Sequence, residues 1–233
     1  MQKKIVWGVV IFLALLLAAL LLLKSFWQDK VITASVQPAA AAKAESFLPA
    51  FSPTVSANEK LIGLITAPVK ILVYEDYTNT FSAELAQNLD KIKNDFGDKV
   101  VIAVRPFVLR DNAASMEAAM AVECAVAEEK WTEMRSAIFT AVRTNNFGAD
   151  KINAEVEKEG LDKEKFAKCL TSLEKQGIML QVAEDAKQFS VYGTPTIFVG
   201  NELVVGARPY EDYLDETGAK VEGLKSLVER QIK

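Results

Sequence analysis

The stretch Tyr192-Gly193-Thr194-Pro195-Thr196-Ile197-Phe198-Val199-Gly200-Asn201-Glu202-Leu203-Val204-Val205 decides the fold of this chain. Residues 196–199 are β-branched, aliphatic and aromatic, the composition of a strand. Gly200-Asn201 supplies a two-residue turn and residues 203–205 a returning strand, so the stretch predicts a β-hairpin. Thr194-Pro195 reads first as a turn that delivers the chain into that hairpin.

Upstream, residues 69–75 (VKILVYE) form a second strand candidate, with Pro68 just before it. Residues 80–96 place Phe81, Leu85, Leu89, Ile92 and Phe96 at helical spacing. Residues 100–104 (VVIAV) are continuously apolar, as a strand buried on both faces tends to be. An Ala- and Met-rich run over 112–130 has strong helix propensity. Further helices are expected over 131–142, 151–158, 162–173 and 174–189, with a break at Gly160 and Asp162 as an N-cap. A last helix, broken near Gly218, is expected to close the chain. The order is strand, helix, strand, a block of helices, hairpin, helix. A right-handed strand–helix–strand crossover makes the first two strands parallel, and the hairpin adds antiparallel strands beside them. The fold class is α/β, a three-layer sandwich with a helical insertion at about 110–190.

Three segments in this order resemble the DsbA-like branch of the thioredoxin superfamily. Ala67-Pro68-Val69, a strand, then Asp76-Tyr77-Thr78-Asn79-Thr80-Phe81-Ser82 is similar to the family's opening, in which Cys-x-x-Cys begins the first helix. Val104-Arg105-Pro106-Phe107 resembles the second strand's exit into the insertion. Tyr192 to Gly200 resembles the Gly-(Val/Thr)-Pro-Thr-x-Phe-(Val/Ile)-x-Gly segment that carries the fold's cis-proline. The resemblance spans about 60–233 and implies a thioredoxin-like fold with a DsbA-like helical insertion.

The departure lies where the family keeps its paired cysteines: here Asn79, Thr80, Phe81 and Ser82 stand there. Thiol–disulfide exchange needs an attacking thiolate and a resolving one. An asparagine cannot ionise, and an isolated serine hydroxyl stays protonated at neutral pH. A degenerate, non-catalytic site is therefore expected, with Asn79 as an ordinary helix N-cap. In active relatives the cis-proline edge pairs with an extended substrate peptide, which implies a polypeptide-docking edge at Thr194 and Pro195 and needs no cysteine. Glu75 and Asp76, adjacent in sequence, make a poor carboxylate pair because strand neighbours point to opposite faces.

Cys124 and Cys169 fall inside the predicted insertion. Some DsbA-like proteins carry a second, non-catalytic disulfide there, and the resemblance implies the same pairing. Two separate buried thiols are the competing reading. Histidine is absent from the sequence, which removes Ser–His and Cys–His activation and most zinc sites. No cofactor and no metal are expected. A net charge of −4 leaves no basic stripe for phosphates, so no nucleic-acid partner is expected.

Residues 5–23 (IVWGVVIFLALLLAALLLL) contain no charged side chain. At about 1.5 Å per residue this stretch spans roughly 28 Å as a helix, close to a bilayer's apolar thickness. A cleaved signal peptide is the alternative, but its apolar region runs about 7–15 residues and no small-x-small site follows here. Segment 1–30 is thus expected to be a signal anchor, with Lys3 and Lys4 favouring a cytoplasmic N-terminus. Residues 31–58, rich in Ala, Ser, Thr and Pro, read as a tether. Residues 59–233 form the domain, placed outside the cytoplasm on a single-pass anchor. The leading functional expectation is a membrane-held domain that binds or scaffolds an envelope polypeptide without redox chemistry. The alternative is a thiol-related enzyme of the same fold, either an oxidoreductase with residual activity or one similar to the kappa-class glutathione transferases and related isomerases.

Overall fold

A computed structural model describes residues 52–232. The anchor segment expected at 5–23 and the tether through residue 51 lie outside the described residues. Among those described, no helix is long and apolar enough to cross a membrane.

A central mixed sheet is built from β1 (Lys60–Ile62), β2 (Val69–Glu75), β3 (Val100–Pro106), β4 (Thr196–Val199) and β5 (Glu202–Val205). Its order is β1-β3-β2-β4-β5. Strands β2 and β3 run parallel, joined across helix α1 (Thr80–Phe96), while the other neighbours are antiparallel. Between β3 and β4 lies the insertion: α2 (Ala113–Cys124), α3 (Trp131–Arg143), α4 (Ala149–Lys158), α5 (Lys163–Leu170) and α6 (Leu173–Ala186). A small hairpin, β6 (Tyr213–Leu214) and β7 (Lys220–Val221), precedes the final helix α7 (Leu224–Ile232).

The period-2 alternation of β2 sorts its side chains between two cores. Val69, Ile71 and Val73 join Leu85, Leu89 and Ile92 of α1 and Leu224, Leu227 and Val228 of α7 on one face. Leu72 and Tyr74 meet Phe198, Ala183 and Ala186 on the other. The expected three layers follow from this division. Helix α2 shows why its sequence is rich in alanine: Ala118, Ala119, Met120, Ala121 and Val122 are all buried, so it packs against neighbours around most of its circumference.

Two sequence expectations need correction, and one strand was not anticipated. The helix expected over 112–130 ends at Cys124. Glu129 takes a left-handed conformation (φ 59°), and the Lys130 N–H donates to the Ala125 carbonyl. The chain thereby turns so that Trp131 starts a new helix against the core, and packing outweighs propensity. The last helix is not broken near Gly218; that region is the β6–β7 hairpin. Asp215 Oδ1 accepts from the N–H groups of Thr217 and Ala219 and from the Thr217 hydroxyl, and Gly218 has φ 81°. Such a side-chain turn competes directly with helix formation. Strand β1, absent from the sequence reading, pairs antiparallel with β3 through Leu61↔Ala103.

Candidate functional site

Strand β2 ends at Glu75, and the chain crosses a short loop before α1 begins. Asp76, almost wholly buried, organises that loop. Its Oδ1 accepts from the Thr78 N–H at 2.9 Å, the Thr78 hydroxyl at 2.8 Å and the Ser115 hydroxyl of α2 at 3.0 Å. A carboxylate with three donors is satisfied without a counter-ion. Asn79 is then the N-cap of α1, its Oδ1 accepting from the N–H groups of Phe81 (2.8 Å) and Ser82 (3.2 Å).

Because β4 runs antiparallel to β2 with Tyr74 opposite Thr196, residues 194 and 195 arrive at this same corner. The Thr194–Pro195 peptide is cis. The Asn79 Nδ2 donates to the Thr194 carbonyl at 3.4 Å. The structure therefore brings Asn79 and Thr194 together, joining the helix start to the proline loop through one carboxamide. The Thr194 N–H has no acceptor among the described residues. Pro195 is buried, Thr194 half-buried, Thr80 exposed and Ser82 fully buried. Phe81 is 61 % exposed and Tyr192 is 76 % exposed, so two aromatic rings flank the corner without being part of the core.

Beneath the corner sits an ion pair that sequence reasoning missed. Glu75 closes strand β2 and is fully buried; Arg135 of α3 reaches it with Nε at 2.8 Å and Nη2 at 2.5 Å. Burial alone would push the Arg135 guanidinium down, but the Glu75 carboxylate outweighs that and holds it above its ordinary value. The guanidinium also lies over the Phe139 ring, 5.0 Å from its centroid. The available signal was the acid itself: a carboxylate in a buried strand requires a partner. Tyr77 packs edge-on against Phe139, and burial, reinforced by the Glu75 charge, pushes its phenol far up. The Tyr77 hydroxyl and the Ser82 Oγ find no protein partner among the described residues.

The cysteines stand apart from the corner. Cys124 of α2 and Cys169 of α5 are bonded to each other, S–S 2.02 Å and Cα–Cα 5.8 Å. Both lie within the insertion, and a sulfur already engaged in a bond cannot act as an attacking thiolate. The chain has no other cysteine. The corner thus has a capped helix start and a backbone edge, but no thiol.

Comparison with known proteins agrees with the fold. No curated protein matches the chain by sequence. Among solved structures, the thiol-disulfide exchange protein alpha-DsbA2 from Wolbachia pipientis superposes with a TM-score of 0.58 at 21 % identity, over 66 % of this chain and 82 % of that one. A periplasmic thioredoxin-like protein from Salmonella enterica serovar Typhimurium gives 0.59 at 20 % identity, over 75 % and 90 %. The catalytic domain of Proteus mirabilis ScsC gives 0.59 at 17 %, over 76 % and 90 %. At these identities the likeness is one of fold. The thioredoxin family model matches residues 30–215, most of the chain. This chain belongs to the thioredoxin family, with a DsbA-like helical insertion and no cysteine pair at the corner where its first helix meets the proline loop.

Proposed function

We propose that this protein is a membrane-anchored, extracytoplasmic thioredoxin-like domain that no longer exchanges disulfides and instead holds an envelope polypeptide at its proline edge. The observation that carries the reading is the Asn79 carboxamide, which caps α1 and bonds the Thr194 carbonyl where a reactive sulfur would stand. A Thr194 N–H without an acceptor among the described residues, with uncovered Phe81 and Tyr192 beside it, supports a retained edge. Strand pairing at such an edge runs through main-chain groups, so it survives the loss of the cysteines. The membrane segment at 5–23 and the tether at 31–58 would hold this domain, residues 59–233, close to the bilayer.

Two measurements test the parts separately. Insulin reduction in the presence of dithiothreitol should proceed no faster with the protein than without it, and Cys124→Ser/Cys169→Ser should change nothing. Clear turnover lost in that double variant would overturn the non-catalytic reading. A photo-crosslinking residue at Tyr192 should capture an unfolded, thiol-free probe such as carboxymethylated α-lactalbumin, and one at the equally exposed Leu173 should not. Equal capture from both positions would remove the edge as the docking site. Full-length protein is expected to stay in the membrane pellet after alkaline carbonate extraction; release to the supernatant would exclude the anchor.

A further inference from the structure

Resting on that polypeptide-holding reading, we infer that the edge is restrained from within: the Asn79 carboxamide is an internal competitor for the main-chain bond an incoming strand would make to Thr194. A hydrogen-bonded antiparallel pair exchanges two bonds, one from each residue's N–H to the other's carbonyl. At Thr194 the N–H is free among the described residues, while the carbonyl already accepts from Asn79 Nδ2 at 3.4 Å. One lone pair of the carbonyl that the strand would use is therefore taken by the protein's own side chain.

The geometry makes Asn79 an effective competitor. Its Oδ1 is fixed by the N–H groups of Phe81 and Ser82, which sets the plane of the amide and aims Nδ2 at the proline loop. A donor already ordered by its cap loses little further freedom in making the second bond. At 3.4 Å the bond is long, hence weak, and a strand can displace it. The occupant that displaces it is an extended segment with apolar side chains. Phe81 lies two residues after Asn79 and Tyr192 two residues before Thr194, and both present uncovered aromatic surface. A carbonyl has a second lone pair; a strand using that one alone would not feel Asn79.

Two substitutions separate the restraint from the cap. Aspartate and serine both cap a helix as well as asparagine. Asn79→Asp has no donor at neutral pH, and Asn79→Ser has a side chain too short to cap and reach Thr194 together. Binding of carboxymethylated α-lactalbumin to the full chain in lipid nanodiscs, with empty nanodiscs as control, is measured for wild type and both variants. Both variants should bind about two- to threefold more tightly, the low end of one net hydrogen bond because the contact is long, with melting temperatures close to wild type. Binding by the variants alone would support the inference in its strongest form. Unchanged or weaker binding by both, where wild type binds, would overturn the inference and leave the docking reading standing. A gain in Asn79→Asp only would assign the effect to charge and overturn it equally. If neither wild type nor variants bind, the docking reading itself falls and takes the inference with it.

Discussion

Arg135 and Ser82 hold opposite lessons about buried polar groups. Arg135→Ala would leave the Glu75 carboxylate buried without its partner, a loss of about 3–5 kcal/mol by analogy with other broken buried pairs. The double variant Glu75→Gln/Arg135→Met should recover most of that loss, because no unpaired charge then remains. Urea denaturation of the two variants gives both numbers, and equal destabilisation would contradict the pairing argument. Ser82 has a fully buried hydroxyl without a protein partner among the described residues, on a helical turn. Ser82→Ala removes that desolvated group and improves helix propensity, so it should stabilise the domain by about 1 kcal/mol. A loss of similar size in the same denaturation series would mean the hydroxyl is satisfied in solution. The missing cysteines were legible here from residue identity alone, since Asn79 and Ser82 stand where the resembled motif keeps its pair. The Glu75–Arg135 contact was not, because 60 residues separate its members and no local pattern links them.

At the level of elements, strands β2, β3 and β4 and helix α1 declared themselves through composition and period. Asp162 likewise caps α5 as its type suggests, accepting from the N–H groups of Glu164 and Lys165. The β6–β7 hairpin did not, because strands of two residues have no period to read and the surrounding Glu, Leu, Ala and Lys are good helix formers. Its fold is instead imposed by the Asp215 turn and by Gly223, where a Cβ would come within 2.3 Å of the Glu211 backbone. Helices α2 and α5 are tied by the disulfide across a sequence separation of 45. Closing a loop of that size restricts the unfolded chain by about 4 kcal/mol in the entropy model. Cys124→Ala/Cys169→Ala is thus expected to lose about 2–4 kcal/mol in guanidinium denaturation while the polypeptide binding proposed for the proline edge is unchanged. A loss of edge binding in that variant, with the fold intact, would show that the insertion shapes the edge.

Across the whole molecule, a few side chains join segments far apart in sequence. Tyr210, after β5, donates to Asp95 near the end of α1, and that bond pushes its phenol up to about 12. Only the neutral phenol donates, so the stabilisation is complete below the ordinary value near 10 and is lost as the pH climbs toward 12. The difference in melting temperature between wild type and Tyr210→Phe should therefore shrink to nothing across that window; a constant difference would place the contact elsewhere. Arg105 does the same work at the opposite end of the fold. Its guanidinium meets both Glu59 carboxylate oxygens at 2.9 Å, the Tyr74 hydroxyl at 2.9 Å and the Thr54 carbonyl at 2.8 Å. Composition puts the start of the domain at residue 59, yet Thr54 is already a partner of its second central strand. A protease clipping the chain between Thr54 and Glu59 would separate the domain from everything upstream and strip one acceptor from Arg105. Excision and loosening would then be a single event, and a fragment cut there would unfold more readily than one cut upstream of residue 52.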